Sequence, residues 1–502
     1  MKSRPRHIVP QELELKLSLP GADPVDLVKR LTHLPALARR KSSRQSLMNI
    51  YFDTPDQALR QQGVALRLRR VGGEADPRWL QTLKTSSGER SALSQRGEWE
   101  SPVAGPALDL AALAHTAWTG IDPDGRLFAT LVPCFVTRFE RTLWLVRRRD
   151  GSVVEVALDI GQVEANHRLA PICELELELK AGDPAALFDL ARQFGHGLAV
   201  LPANRSKAER GFLLAQDTLD RPQRAQLPAL ILPLSQLELV QRVLREMFAQ
   251  FSQNLETLGT SDDPEVVHQA RVGWRRFRSG LRLFGKTLAV VKPPSWLELQ
   301  PVLAGLGALR DLDVAVTETL PAFADGYTMG HAGRTHAWQA MLIGLTQAAT
   351  MQRQLVCQTL QAPAVGLCLL ALTEWLENLS AADPTGRVQK GALRRWARRR
   401  TRRLQQRMVQ VQESADSLQQ QHRVRILAKR LRYGVEALRD LLPRHLAGAY
   451  SQQATQLQSS LGLSRDVAQA SVLVAALELD PHIEAYLQGV VVGFRAGLVT
   501  VR

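Results

Sequence analysis

Residues 11–19, QELELKLSL, alternate charge with leucine, so Glu12, Glu14 and Lys16 lie on one side of an extended chain and Leu13, Leu15 and Leu17 on the other. A period of two predicts a strand, with its three ionisable groups about 6 to 7 Å apart along one face. Alternation alone describes any half-buried strand with a solvated face. A second copy changes its meaning, because CELELELK at 173–180 again aligns Glu174, Glu176 and Glu178. Aligned carboxylates repel, so two such strands on a shared face call for a cation between them. Their oxygens suit hard divalent ions such as Mg²⁺.

The chain around these strands has 502 residues, of which 45% are hydrophobic, enough for more than one domain. Its net charge of +15 is uneven. Up to Asp220 there are 30 Lys and Arg against 27 Asp and Glu, whereas the remainder has 34 against 22, so a polyanionic partner fits the second part. Cys134, Cys173, Cys357 and Cys368 show neither metal-site spacing nor the density of a secreted scaffold. The basic N-terminus has no apolar run behind it, and no stretch approaches 18 consecutive apolar residues. The expectation is a soluble cytoplasmic protein with no membrane partner.

Between the two acidic strands the chain reads as a short helix over Pro24–Leu37 and then a series of strands. SLMNIYFDTP and VALRLRR come first, and the second puts Arg67 and Arg69 on one face. RWLQTLKTSS brings Lys84, and in QRGEWES Arg96, Glu98 and Glu100 share a face. After a Pro-, Gly- and Ala-rich excursion, FVTRFERTLWLV and SVVEVALDIG form a hairpin about Asp150-Gly151, bringing Arg138 or Arg141 to Glu155 and Asp159. Eight strands, mostly in hairpins, predict an α+β multidomain protein that begins with an antiparallel barrel. If its charged faces turn inward, acids line one wall of a tunnel and cations the other, an arrangement suited to phosphates bridged by metal.

ELELK, NIYFDTP, ALRLR, QTLKT, GEWE, VALD, CELELE and the late SK at 206–207, in that order, resemble the CYTH or triphosphate tunnel metalloenzyme family. The resemblance covers about residues 8–215 and implies an eight-stranded tunnel that hydrolyses or cyclises triphosphates with Mg²⁺ or Mn²⁺. It makes Glu12, Glu14, Asp159, Glu174 and Glu176 the metal ligands. Lys16, Arg67, Arg69, Lys84, Arg141 and Lys207 become phosphate ligands. Of these, Lys16, Arg67, Arg69 and Lys84 would stabilise charge during transfer, and Glu98 would orient the attacking water, with Glu155 a supporting acid. Two choices stay open: Arg138 against Arg141, and whether Glu178 belongs to the acidic cluster.

Pro222, Pro228 and Pro233 mark a linker over 216–236, after which Leu, Ala, Gln and Arg predict a helical bundle over 237–502. In VHQARVGWRRFRSGLRLF, His268, Arg271, Arg275, Arg278 and Arg282 keep to one helical face. HRVRILAKRLRYGVEAL repeats the pattern 154 positions later with His422, Arg425, Lys429 and Arg432, and Arg430 matches Arg276. Leu306, Gly307, Arg310 and Asp311 likewise match Leu461, Gly462, Arg465 and Asp466, so two similar halves are expected, about 237–385 and 386–502. These segments resemble the CHAD domain, which implies binding of long-chain inorganic polyphosphate through the two histidines and these basic residues, Arg430 included.

The leading expectation is an inorganic triphosphatase hydrolysing tripolyphosphate, its helical part holding polyphosphate or polyphosphate granules. The alternatives are a thiamine or nucleoside triphosphatase or adenylate cyclase using the same tunnel, and a non-catalytic polyphosphate- or nucleic-acid-binding protein. An aromatic content of 5% and the lack of a base-reading module argue against sequence-specific nucleic-acid recognition.

Overall fold

The computed structural model describes residues 11–495 apart from 74–75, 87, 89, 229, 231–232, 383–387, 415–417, 460–462 and 479. The side chains of 382, 418–419, 421–422, 458–459, 463–464 and 495 also lie outside the described part. The residues up to Arg221, with Gly259–Ser261 and Gln361–Glu374, form one compact unit. Pro222–Leu258, Asp262–Leu360 and the chain from Trp375 form a second. Two later segments, Gly259–Ser261 and Gln361–Glu374, thus group with the first unit although they lie inside the span 237–502 expected to be the helical bundle.

The first unit is built on β1 (Gln11–Ser18), β2 (Ser42–Asp53), β3 (Val64–Val71), β4 (Arg78–Thr85), β5 (Leu93–Val103), β6 (Val132–Arg147), β7 (Val153–Ala165) and β8 (Arg168–Ala181), with a two-residue β9 (Leu201–Pro202). The sheet runs β5-β4-β3-β2-β6-β7-β8-β1-β9, and β5 also pairs with β1, which closes eight antiparallel strands into a barrel. Closure leaves few free edges and gives every strand an inner and an outer face. Leu15 and Leu17 of β1 and Leu175 and Leu177 of β8 are fully buried on the outer face, against Leu187, Phe188, Leu190 and Phe194 of the helix Ala185–Gly195. Burying each such side chain contributes about 1.5–3 kcal/mol, which fixes the register and turns the alternate charged residues into the bore. The hairpin between β6 and β7 turns through Gly151 at φ 89°, a conformation that glycine adopts without strain. Asp53, buried at the end of β2, accepts the backbone N–H groups of Thr54, Leu59 and Arg60 and so fastens the turn into β3.

The second unit is helical. Its first long helix, Gln236–Thr257, starts in a capping box made by Ser235 and Glu238, and the next, Pro264–Leu283, starts at Asp263 with proline in the first turn. Phe248, Phe251, Trp274 and Phe277 interlock between these two helices. The repeat is visible in the elements, since Leu418–Ala437 begins and ends 154 residues after Pro264–Leu283. The second repeat motif is less regular: Leu306–Asp311 lies inside the helix Gln300–Val314, whereas Arg465 and Asp466 stand in the first turn of Leu463–Ala475. Leu461 and Gly462 fall outside the described residues. Among the described residues no single helix is long and apolar enough to cross a membrane.

Candidate active site and basic helical face

The bore of the barrel is a cavity of about 810 Å³ to which every one of the eight strands contributes. It gathers Glu12, Glu14 and Lys16 from β1, Arg67 and Arg69 from β3, Lys84 from β4 and Glu98 from β5, with Arg141, Glu176 and Lys207. Alternation along each strand delivers them, because i and i+2 share a face.

One end of the charge network is centred on β7 and β8. Asp159 and Glu174 stand directly opposite each other in the ladder. Oxygens of Asp159, Glu174 and Glu176 all lie within 4.8 Å of one another. Lys207 Nζ reaches all three acids, at 2.5 Å from Asp159, 2.5 Å from Glu174 and 2.9 Å from Glu176. Lys16 Nζ adds contacts of 3.2 Å to Glu174 and 2.7 Å to Glu176. Arg141 takes Asp159 in a two-pronged grip at 2.7 and 2.6 Å and also meets Glu176 at 2.6 Å. Burial would raise the Glu176 carboxyl, but Lys16, Lys207 and Arg141 outweigh it and hold it well below the usual range. Asp159 and Glu174 are likewise lowered against their burial, by Arg141 with Lys207 and by Lys16 with Lys207. The acids are thus ionised, as metal ligands must be. Three carboxylates this close are a ligand set of the kind that hard divalent ions take, with Lys207 Nζ standing among them.

The five acids named from the sequence divide into two groups. Glu12 and Glu14 are matched by other cations: Lys84 Nζ lies 2.7 Å from Glu12, and Arg96 is bonded to Glu14 and lies 3.7 Å from Glu12. Arg96 has a face in the sequence reading but no role there; its alternation with Glu98 and Glu100 was the available signal. Glu98 meets Lys84 at 3.1 Å and Arg67 at 3.5 Å, and despite burial these cations keep its pKa low. Arg69 is pushed down to about 10 by burial and by its neighbours Arg67 and Arg141. The buried Nε groups of Arg67 and Arg96 have no hydrogen-bond partner among the described residues.

The open choices resolve geometrically. Arg141 is paired across the ladder with Asp159 and faces the bore, while Arg138 is half exposed, 3.8 Å from Glu164 on the outside. Three residues apart on a strand means opposite faces. Glu178 lines the cavity but bonds Lys180 at 2.6 Å, and Glu155 faces the same lysine at 3.5 Å. Burial, with Glu12 and Glu155 nearby, raises the Glu178 carboxyl although Lys180 opposes this. The sequence also missed Tyr51, a buried phenol in the cavity wall stacked on Phe135 at 4.6 Å. Burial opposes its ionisation, but Arg67, Lys207 and Arg69 outweigh that and lower its pKa.

In the second unit Arg271, Arg275, Arg425, Lys429, Arg430 and Arg432 are half-buried, whereas Arg278 and Arg282 are exposed. The stripes of the two repeat helices come together: Arg275, Arg425, Arg432 and Arg465 all act on Lys429, which burial and these charges push down to about 8. His268 is half-buried, and burial together with Arg310 lowers its pKa. His422 lies on its helix, but its side chain is outside the described part. Acids are not absent from this face, since Asp311 neighbours Arg271 and Asp466 neighbours Arg425 and Arg465. Arg276 is buried instead, bonded to Gln250 and to Glu436 at 2.7 Å, so Glu436 serves the interior rather than the stripe.

Residues 10–212 match the CYTH domain and residues 242–475 the CHAD domain. An inorganic triphosphatase of Haemophilus influenzae is 34% identical over 209 residues, a stretch that makes up 41% of this chain and 56% of that relative. The chain thus spans little more than half the length of that relative. Among solved structures, the CHAD domain of Ricinus communis is 26% identical over 55% of this chain and 91% of its own, with a TM-score of 0.47. An adenylyl cyclase homologue of Hippeastrum described as having a dominant triphosphatase activity is 19% identical over 40% of this chain and 95% of its own, with a TM-score of 0.28.

Proposed function

We propose that this chain, which carries a CYTH domain followed by a CHAD domain, is a metal-dependent inorganic triphosphatase whose basic helical unit binds long-chain polyphosphate. The observation that carries the reading is the concentration of charge at one bore: Glu176 lines it together with Arg67, Arg69, Lys84 and Arg96, and the buried Asp159 and Glu174 lie in ligand reach of Glu176 behind the wall. The inorganic triphosphatase of Haemophilus influenzae, similar over the barrel, supports it.

Asp159, Glu174 and Glu176 would hold Mg²⁺ or Mn²⁺, with Glu12 and Glu14 the further acids on β1. When bound, such an ion draws electron density from the phosphoryl oxygens and neutralises part of their charge. Arg67 and Arg96, whose buried Nε–H groups have no hydrogen-bond partner among the described residues, donate to phosphate oxygens. Lys16, Lys84, Arg69, Arg141 and Lys207 complete the positive lining, so charge that spreads over the transferred phosphoryl meets fixed cations in place of mobile water. Glu98, ionised between Lys84 and Arg67, orients the attacking water. Among the described residues Tyr51 and Phe212 are the aromatic lining of the bore and Tyr51 is already stacked on Phe135, which favours an inorganic chain over ATP or thiamine triphosphate. The helical unit would hold the enzyme at polyphosphate granules in the cytoplasm.

Phosphate release from tripolyphosphate, ATP and thiamine triphosphate by the full chain, with Mg²⁺ or Mn²⁺ and with chelator, tests this. Tripolyphosphate should be turned over fastest, and chelator should abolish it. Faster turnover of either organic triphosphate, or activity indifferent to chelator, overturns it. For the helical unit, long polyphosphate should outcompete duplex DNA at fixed salt.

A further inference from the structure

Among the described residues Lys207 is the one cation that reaches Asp159, Glu174 and Glu176 together, yet it does not stand on a barrel strand. It is the first residue of the helix Lys207–Ala215, and the chain arrives there through β9 and residues 203–206. That segment has a slender hold on the barrel. It pairs with β1 only at Leu17 and Ser18, Pro202 has no N–H to donate, and Ala203 N–H to the Lys16 carbonyl at 3.0 Å is its last backbone bond to a barrel strand before Lys207, with Arg205 tied to the Leu219 carbonyl at 3.2 Å.

Its other side is held by a helix from far along the sequence. Within the first unit, the helix Pro363–Asn378 places Gly366 so close to the Val200 carbonyl that a Cβ would overlap the carbonyl oxygen. A glycine Cα can rest there, whereas any side chain must push strand or helix away. The helix cannot give way freely. Leu370 is fully buried in the leucine core beneath β1 and β8, Leu367 lies against Gly195, and Glu374 is paired with Arg192. Packing at interior density leaves no slack to absorb a methyl group. The more weakly bonded partner, residues 200–206, is the one that moves.

We propose that Gly366 is a positioning residue for Lys207: by admitting close contact with Val200, it clamps the segment that delivers this lysine to the acidic cluster. Gly366 lies inside the stretch that matches the CHAD domain but serves the tunnel. The catalytic consequence rests on the triphosphatase reading, whereas the structural one does not.

The test uses the full chain with Gly366→Ala, Lys207→Ala, the double variant, and Ala364→Val as a control that adds two carbons on the exposed side of the same helix. Hydrogen exchange of peptides covering residues 198–206 should quicken at least tenfold at Ala203 in Gly366→Ala and not in Ala364→Val. Tripolyphosphate turnover should fall about tenfold in Gly366→Ala, and the double variant should be no slower than Lys207→Ala, because both losses pass through one side chain. Exchange within twofold of the parent chain overturns the proposal whether or not the chain is a triphosphatase. So does a double variant whose losses multiply. Quickened exchange in a chain without turnover would uphold the clamp and reject the reading of the tunnel.

Discussion

Lys16 on β1 and Glu176 on β8 are paired in register across the ladder, and their side chains meet at 2.7 Å in the buried bore. Glu176 also serves Lys207 and Arg141, so a single carboxylate balances three cations. Removing its charge leaves Lys16, Lys207 and Arg141 to share Glu174 and Asp159, three buried cations on two carboxylates. Glu176→Gln should therefore lower stability by about 3 kcal/mol, the usual cost of breaking a buried pair on one side, and metal-dependent turnover by two orders of magnitude or more. Thermal melting with turnover on the same sample checks both, and a variant as stable and active as the parent would discard the arrangement.

The same carboxylate sets the acid limit of the fold. Glu176 has its folded pKa held well below 4.5, so its stabilising contribution is complete above the unfolded value and is lost as pH falls through the folded one. Asp159 and Glu174 are lowered too and act in the same direction. The chain should thus lose stability steadily below pH about 4.5, and in Glu176→Gln that acid-side slope should be shallower. Denaturant midpoints measured from pH 6 down to pH 3 would reveal parallel curves if Glu176 were solvated.

Arg138 and Arg141 offer a sharp comparison, being three residues apart on β6 with opposite surroundings. Arg138→Ala should leave turnover within twofold and stability within about 0.5 kcal/mol, as expected of an exposed pair. Arg141→Ala should cost at least fiftyfold in kcat, since it strips Asp159 and Glu176 of a shared partner. A larger loss from Arg138→Ala would mean that the hairpin register differs.

Glu12 and Lys84, 2.7 Å apart, couple the β1 acids to the cation wall. Either Glu12→Ala or Lys84→Ala should reduce turnover about a hundredfold, and the double variant should fall short of the product of the two, because each change frees the other's partner. Unchanged turnover in both single variants would remove them from the site.

The alternation in residues 11–19 and 173–180 carried the barrel because a period of two commits each residue to a face, and the apolar face has to be buried. Hairpin turns such as Asp150-Gly151 then fixed which strands are neighbours, so most of the bore could be read in order. Which acid meets which base could not, since that depends on ladder register: Asp159 faces Glu174, and Lys16 faces Glu176. Arg96 had a face in the sequence but no partner; the closure of β5 on β1 is what sets it opposite Glu12. The contact of Gly366 with Val200 had no local signal, because glycine in a helix reads as a weak position rather than as a close approach. In the helical unit, spacing revealed the stripes, but not that Arg276 turns inward to Glu436.

Lys429 gives the helical unit a pH dependence that an arginine stripe alone would lack. Burial and the charges of Arg275, Arg425, Arg465 and Arg432 push it down to about 8, with Asp466 and Asp311 nearby on the same face through Arg425, Arg465 and Arg271. Its folded pKa is below the ordinary lysine value, so the protonated form is disfavoured in the fold, and stability should rise as pH increases through 8. A polyanion reverses the preference by neutralising the surrounding arginines, and binding near pH 8 should take up a fraction of a proton. Affinity for long polyphosphate should accordingly fall about three- to tenfold between pH 7 and pH 9, whereas Lys429→Arg, always charged, should stay level. Calorimetric titrations in two buffers of different ionisation heat measure the uptake directly. Equal heats in both buffers for the parent chain, or the same pH slope in Lys429→Arg, would show that Lys429 does not face the bound chain.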